Sequence, residues 1–343
     1  VSPASEHAAA KAPDLAREAM ASRALWHVAP GVAELRPSTA GAAPPGALAV
    51  RARFSALSRG TERLVHFGRV PPEAADAMRG PGQEGDFPFP VKYGYCLVGI
   101  VEEGPRAGER VFCLHPHEER ALVAPHFCAP IPDHVPDARA TLAANMETAL
   151  NALWDAAPLP GERALVIGAG VVGLLAAFLL ARIPGMSVTV VDRDPARRAP
   201  AELLGACFAA PEEAPGEQEL ILHASASEAG LRVALEKAGF EARILELSWF
   251  GAACPALPLG AAFHHRRLRL ISTQVGSVSP ALRGRRSHAE RLALALSLLG
   301  DARLDALLGP VIPFAELPAR ITALLAPPPG AAQPLCPLVS YGT

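Results

Sequence analysis

Between Leu48 and Ser55 apolar and polar side chains alternate. Leu48, Val50, Ala52 and Phe54 fall on one side, Arg51 and Arg53 on the other. A period of two predicts a half-buried strand. Leu25–Val28, Tyr95–Val101, Arg110–Leu114 and Leu122–Val123 are shorter apolar runs of the same kind. They are separated by a Pro/Gly/Ala connector at Pro37–Pro45 and an irregular turn region at Pro130–Pro136. Residues 63–90, rich in proline and glycine, are expected to form a long loop with at most a short helix near Pro72–Met78. Up to about residue 136 the chain reads as a small all-β unit with long loops.

The rhythm then changes. Asp137–Ala156 has few breakers and reads as a helix. Apolar strands are predicted at Ala164–Ile167, Ser187–Val191, Leu220–Ala224, Arg243–Leu247 and Leu268–Ser272. Helices are expected between them at Val172–Arg182, Pro195–Leu204, Glu228–Lys237 and Leu259–His264. Short apolar strands alternating with helices predict a parallel sheet covered on both faces, an α/β doubly wound architecture. His288–Leu299 is an amphipathic helix, and Leu304–Val311 and Leu317–Leu325 follow. Gly330–Val339 can return as a strand to the first unit. Residues 1–24 read as an N-terminal tail.

Composition narrows the class. The 343 residues are 50% hydrophobic and 19% charged, with a formal net charge of -2. This is a globular composition, long enough for two domains, with no global charge for nucleic acid or an anionic membrane. Arg266, Arg267 and Arg269, with Arg283, Arg285 and Arg286, are read mainly as solvated charge. The longest apolar run, Val171–Ala181, is too short to span a bilayer. The six cysteines are scattered, which fits a reducing cytoplasm better than a disulfide scaffold or a zinc knuckle.

The segment Ala164–Gly173 reads ALVIGAGVVG. Gly168, Gly170 and Gly173 fit G-x-G-x-x-G, after a strand and at the opening of a helix. Gly168 would make the tight turn, Gly170 would admit a diphosphate to the backbone, and Gly173 would let the helix pack on the sheet. The amides of Ala169, Val171 and Val172 belong to the same turn. The next strand ends at Asp192, nineteen residues after Gly173. A carboxylate there can accept both hydroxyls of an adenosine ribose and would repel a 2′-phosphate, so NAD(H) is favoured over NADP(H). Arg193, Arg197 and Arg198 lie close enough to serve a phosphate instead. Gly251 is a candidate for letting the backbone pass the nicotinamide half.

The order of parts resembles the medium-chain dehydrogenase/reductase superfamily, the alcohol dehydrogenase group, over nearly all of Leu25–Val339. The resemblance implies a Rossmann sheet inserted in a GroES-like, β-rich catalytic domain. The expected division is residues 25–144 and 289–343 for the catalytic domain and 145–288 for the dinucleotide-binding domain. It also implies a homodimer. Zinc-using members carry Cys/His/Cys ligands. Here Ser58 in ALSRGTE, Tyr95 in GYCLVGIV and Ala144 in LAANMETA stand at those positions. These side chains cannot build that site, so no zinc is expected. The SRGTE, KYGY and NMETALNAL segments resemble a zinc-lacking branch that includes bacteriochlorophyllide hydroxyethyl dehydrogenases.

Without a Lewis acid, another group must stabilise a developing alkoxide or handle the alcohol proton. Candidates are the Tyr95 hydroxyl, a Ser58 and Thr61 relay, Glu147 as a base, and His117 in LHPHEE as a proton handler. Arg59 can grip a substrate carboxylate or cofactor phosphate. Glu147 can equally pair with Arg59 or another cation. The expected function is alcohol–carbonyl interconversion with NAD(H) and a small-molecule substrate. The alternatives are an NADPH-dependent quinone/enoyl-type reductase and a non-catalytic nicotinamide dinucleotide-binding protein.

Overall fold

The computed structural model describes residues 22–38, 44–328, 330–331 and 333–342. The expected tail lies outside these residues except at its end, where a strand begins at Arg23.

Six strands form one parallel sheet: Cys207–Ala209, Ser187–Val191, Arg163–Ile167, Gln218–His223, Ala238–Glu246 and Arg269–Ser272, in that spatial order. Numbered along the chain, the order is 3-2-1-4-5-6, that of a doubly wound dinucleotide-binding sheet. Arg163–Ile167 is the central strand, and the topology reverses between it and Gln218–His223. The next element, helix Val171–Leu180, is apolar all round because it is buried along its length.

The β-rich unit contains a seven-stranded sheet and a four-stranded one. Chain return is visible in the larger sheet. Cys336–Ser340 pairs antiparallel with Leu48–Ala56 and parallel with Leu308–Pro313. Both ends of the chain therefore build this unit around the parallel sheet's insertion. Helix Ala143–Ala156 runs across the expected 144/145 boundary. It packs on both Val171–Leu180 and His288–Leu298, and one core joins Phe112, Met146, Leu174 and Leu296.

Several expectations are corrected. The stretch assigned to a loop overlaps a helix, Arg59–His66, which buries Glu62, Leu64, Val65 and His66. Its eight residues are too few, and too polar on average, for a periodic pattern to stand out in a longer window. Asp137–Ala156 is two helices, Asp137–Ala140 and Ala143–Ala156. Leu259–His264 is no regular helix, since Ala261 departs from helical dihedrals within the turn Leu259–Phe263. A short third strand, Cys207–Ala209, was not foreseen. Arg266 and Arg267 pair with Glu217 and Glu241 at the surface. Among the described residues, no helix is long and apolar enough to cross a membrane. Cys113 and Cys128, far apart in sequence, are cross-strand neighbours with sulfurs 3.2 Å apart.

Candidate active site

The turn after the central strand is built by its glycines. Gly168 has φ +103, in the left-handed region, and a Cβ there would meet Ser225 N at 2.8 Å. A Cβ on Gly173 would lie 2.0 Å from the Gly168 carbonyl oxygen, so only glycine lets the helix begin so close to the turn. Gly170, the N-cap, is exposed and has no neighbouring atom within 4 Å of an added Cβ. The open backbone therefore lies where the helix's free amides point. Asp192 closes the next strand. Its carboxylate accepts from Ala169 N at 2.7 Å and from Asp194 N at 2.9 Å. This fixes the acid against the turn while leaving lone pairs on both oxygens. A glycine cradle with an adjoining carboxylate fits a nicotinamide dinucleotide.

The arginines separate. Arg193 is exposed. Arg197 is buried, donating to the Gln333 carbonyl at 2.6 Å and pairing with Asp194 at 3.3 Å. Arg59 donates to the carbonyls of Leu324, at 3.0 Å, and Pro334, at 2.8 Å. Burial, then the neighbouring charges of Arg197 and Arg63, lower its pKa to about 10. The two guanidiniums thus lie near one another, each bonded to main-chain oxygens. Gly251 differs from its expected role. A Cβ there would meet the Arg69 carbonyl at 2.9 Å and Leu64 at 3.1 Å, so the close approach requiring glycine is to the β-rich unit.

Two of the three positions that the sequence resemblance matched to zinc ligands hold a hydroxyl pair. Tyr95 Oη donates to Ser58 Oγ at 2.6 Å, and Ser58 Oγ lies 3.4 Å from Asn145 Oδ1. Burial of the phenol, with Cys96, Tyr93 and Glu62 nearby, pushes the Tyr95 pKa well above its ordinary value. It is a neutral donor, not a base. Serine, tyrosine and alanine side chains do not make a zinc donor set. Among the described residues, no group of three or more His, Cys, Asp or Glu side chains is placed to hold a metal.

His117 is in the same network, but not as expected. Its Nε2 lies 2.9 Å from Glu62 Oε2 and its Nδ1 2.7 Å from Ser55 Oγ. Ser55 Oγ in turn lies 2.9 Å from Tyr341 Oη. Glu62 Oε1 accepts the Ser58 amide at 2.7 Å. The chain from Tyr341 to Glu62 ends on a backbone N–H, which does not exchange protons on a catalytic timescale. His117 is 1% exposed. It fixes Glu62, and Glu62 fixes Ser58; it does not hand a proton to substrate.

Thr61 lies half-buried on helix Arg59–His66, and no hydrogen bond joins its hydroxyl to this network among the described residues. Glu147 is also corrected as a base. It forms a buried pair with Arg291 at 2.9 Å. Arg291 also reaches Asn151 Oδ1 and the carbonyls of Ser277 and Val275. Burial raises the Glu147 pKa, and Arg291 opposes that rise. Sequence reasoning missed Glu62, Ser55, Asn145, Tyr341 and Arg291. The only available signal was charged residues within apolar helical patterns, as at Arg291.

No family model matches the chain, and no curated protein matches it in sequence. Solved structures do match in fold. A galactitol-1-phosphate dehydrogenase from Escherichia coli aligns at TM-score 0.75 and 16% identity, over 93% of this chain and 99% of that one. A 2R,3R-butanediol dehydrogenase from Bacillus subtilis aligns at 0.74 and 16%, over 94% and 100%. A short-chain alcohol dehydrogenase from Escherichia coli CFT073, complexed with NADH, aligns at 0.74 and 16%, over 93% and 99%. The chain has the fold these proteins share, that of the medium-chain dehydrogenases. It combines a Rossmann sheet with a GroES-like, β-rich domain.

Proposed function

We propose that this chain is a zinc-independent, NAD(H)-dependent oxidoreductase that interconverts an alcohol and a ketone or aldehyde. One observation carries the reading. The Asp192 carboxylate is pinned against the Gly168–Gly173 turn by the Ala169 amide, where it meets a ribose diol and repels a 2′-phosphate. The dehydrogenases of like fold support it, including the one complexed with NADH.

A bound nicotinamide would supply the site at which hydride is given or taken. The glycine turn and the helix amides hold the diphosphate. Arg59 and Arg197, whose charges lie near one another, would be the cations available to it. Tyr95 gives its proton to Ser58, and the Ser58 hydroxyl, turned from Asn145, would give one neutral hydrogen bond to the substrate oxygen in place of a metal. Glu62 and His117 keep Ser58 in position from below. The hydroxyl pair is part-buried, which would limit the water around it. The chain's six free cysteines suit a cytoplasmic setting. A homodimer is supported by the open edge strand Arg269–Ser272, which carries Leu270 at 39% exposure.

The test combines metal analysis of the purified protein with NADH turnover over a panel of alcohols and ketones. NADH-linked activity that survives exhaustive chelation is the expected result. Loss of activity on chelation, restored by zinc, overturns the metal-free part. Binding without turnover on the whole panel favours a dinucleotide-binding protein, and activity confined to enones with NADPH favours a reductase.

A further inference from the structure

Across the switch point from Asp192 lies a second polar cluster. His223 and Glu246 stand opposite each other in register at the carboxyl ends of the fourth and fifth strands. His223 is fully buried, and both its ring nitrogens are engaged. Nδ1 lies 2.6 Å from Glu246 Oε2, and Nε2 lies 2.7 Å from Ser225 Oγ. The second oxygen of Glu246 accepts the Ser248 amide at 2.7 Å. Ser225 Oγ lies 2.8 Å from Ser227 Oγ, which accepts from Gly230 N at 3.0 Å. Phe250 stacks on the imidazole with ring centroids 6.1 Å apart.

The proton order follows from the donor inventory. An ionised carboxylate only accepts, so Nδ1 carries the proton of a neutral His223 and Nε2 accepts from Ser225. Ser225 Oγ then receives the Ser227 hydroxyl and keeps a lone pair. This is the hydroxyl–imidazole–carboxylate order of a hydrolytic triad. The surroundings disfavour acyl chemistry, because a Cβ on Gly230 would lie 2.3 Å from Ser225 Oγ. The first turn of helix Glu228–Lys237 covers the hydroxyl, leaving no room for an attacked carbonyl on that side.

Position assigns the role instead. Ser225 touches the nucleotide turn, since the missing Cβ of Gly168 falls 2.8 Å from its amide. Ligands of doubly wound sheets lie across this reversal, outside the carboxyl ends of the strands. A dinucleotide with its diphosphate over Gly170 and one ribose at Asp192 would carry its other ribose to the opposite side of the reversal, where Ser225 stands. We propose that Ser225, oriented by His223 and Glu246, hydrogen-bonds a hydroxyl of the ribose on the nicotinamide side. The assignment rests on the dinucleotide reading above. Glu246 and His223 are positioning residues, and Ser225 makes the contact.

The test compares NADH with ADP, which lacks the second ribose, in binding titrations of the full chain. Ser225→Ala should weaken NADH about tenfold, the scale of one good hydrogen bond, and leave ADP unchanged. Asp192→Ala should weaken both. Glu246→Gln should act like Ser225→Ala, and it decides the question if Ser225→Ala does not fold by thermal melt. Unchanged NADH affinity in the folded variant, or equal loss for NADH and ADP, overturns the assignment. Failure of the unmodified chain to bind either nucleotide overturns the dinucleotide reading and the assignment with it.

Discussion

Glu62 Oε1 accepts the backbone amide of Ser58 at 2.7 Å, while Oε2 of the same carboxylate lies 2.9 Å from His117 Nε2. One buried acid therefore ties the first residue of the hydroxyl pair to an imidazole fifty-five positions further along the chain. Ser58 is held through its amide by this link, and through its hydroxyl by Tyr95.

Tyr95→Phe removes a donor without changing the ring. On the proposed function, kcat should fall about 10²-fold with little change in NADH affinity. Ser58→Ala should fall by a similar factor, and the double variant by little more, because the two hydroxyls act as one unit. Steady-state kinetics and NADH titration check this. Undiminished kcat in both single variants would remove the pair from the mechanism.

Arg291→Leu should destabilise the fold by about 3–5 kcal/mol, because it leaves the Glu147 carboxylate buried without its partner. Glu147→Gln should cost less, since the amide still bonds the guanidinium. Replacing both by apolar residues should recover much of the loss. Urea melts of the four proteins measure it. A single-variant loss below about 1 kcal/mol would contradict the buried pair.

His27 sets an acid limit. Its Nδ1 lies 2.9 Å from His66 Nδ1, and its Nε2 is buried without a partner among the described residues. Burial, then the charges of His66 and His117, lower its pKa to about 3. Burial lowers His66 as well. The unfolded chain therefore binds more protons than the native one between about pH 6.5, the ordinary histidine value, and pH 3. The stability from keeping His27 neutral is fully present above that range and drains away as pH falls through it. Thermal melts from neutral pH to pH 4 should show a falling midpoint, less steep in His27→Phe. An equal slope in both proteins would remove His27 as the cause.

Gly173→Ala should cost about 1–3 kcal/mol through overpacking against the Gly168 carbonyl. It should also weaken NADH binding, because the helix start and the turn would move apart. Gly104→Ala is a counter-example: its φ is +80 but no atom lies within 4 Å of the added Cβ. It should cost only backbone strain and leave NADH affinity unchanged. Melting and titration on both variants separate close packing from strain.

The parallel sheet was legible because its central strands, Arg163–Ile167 and Gln218–His223, are largely buried and read as apolar runs. Ser187–Val191 and helices Glu228–Lys237 and Leu317–Leu325 stand where the pattern puts them. The glycine turn was legible because the spacing of its three glycines is local, with two of them, Gly168 and Gly173, answering separate steric demands. The hydroxyl pair was legible in its members but not in its support. Glu62, Ser55 and Tyr341 meet His117 only through tertiary packing, and nothing local marks a buried acid on a two-turn helix. Glu147 and Arg291 lie 144 positions apart, so neither could name the other. His223, Ser225 and Glu246 were hidden for the same reason: their relation is strand register, which a single sequence does not print.

Arg59 comes from the β-rich unit and Arg197 from the nucleotide unit, yet both are satisfied by main-chain oxygens of the short stretch Leu324–Pro334. Asp194 adds a carboxylate at 3.3 Å from Arg197, while Arg59 has main-chain oxygens alone. Burial, and then the charges of Arg197 and Arg63, lower the Arg59 pKa to about 10. Leu324–Pro334 thus works as a clasp between the two units, and any motion of it would loosen both arginines together.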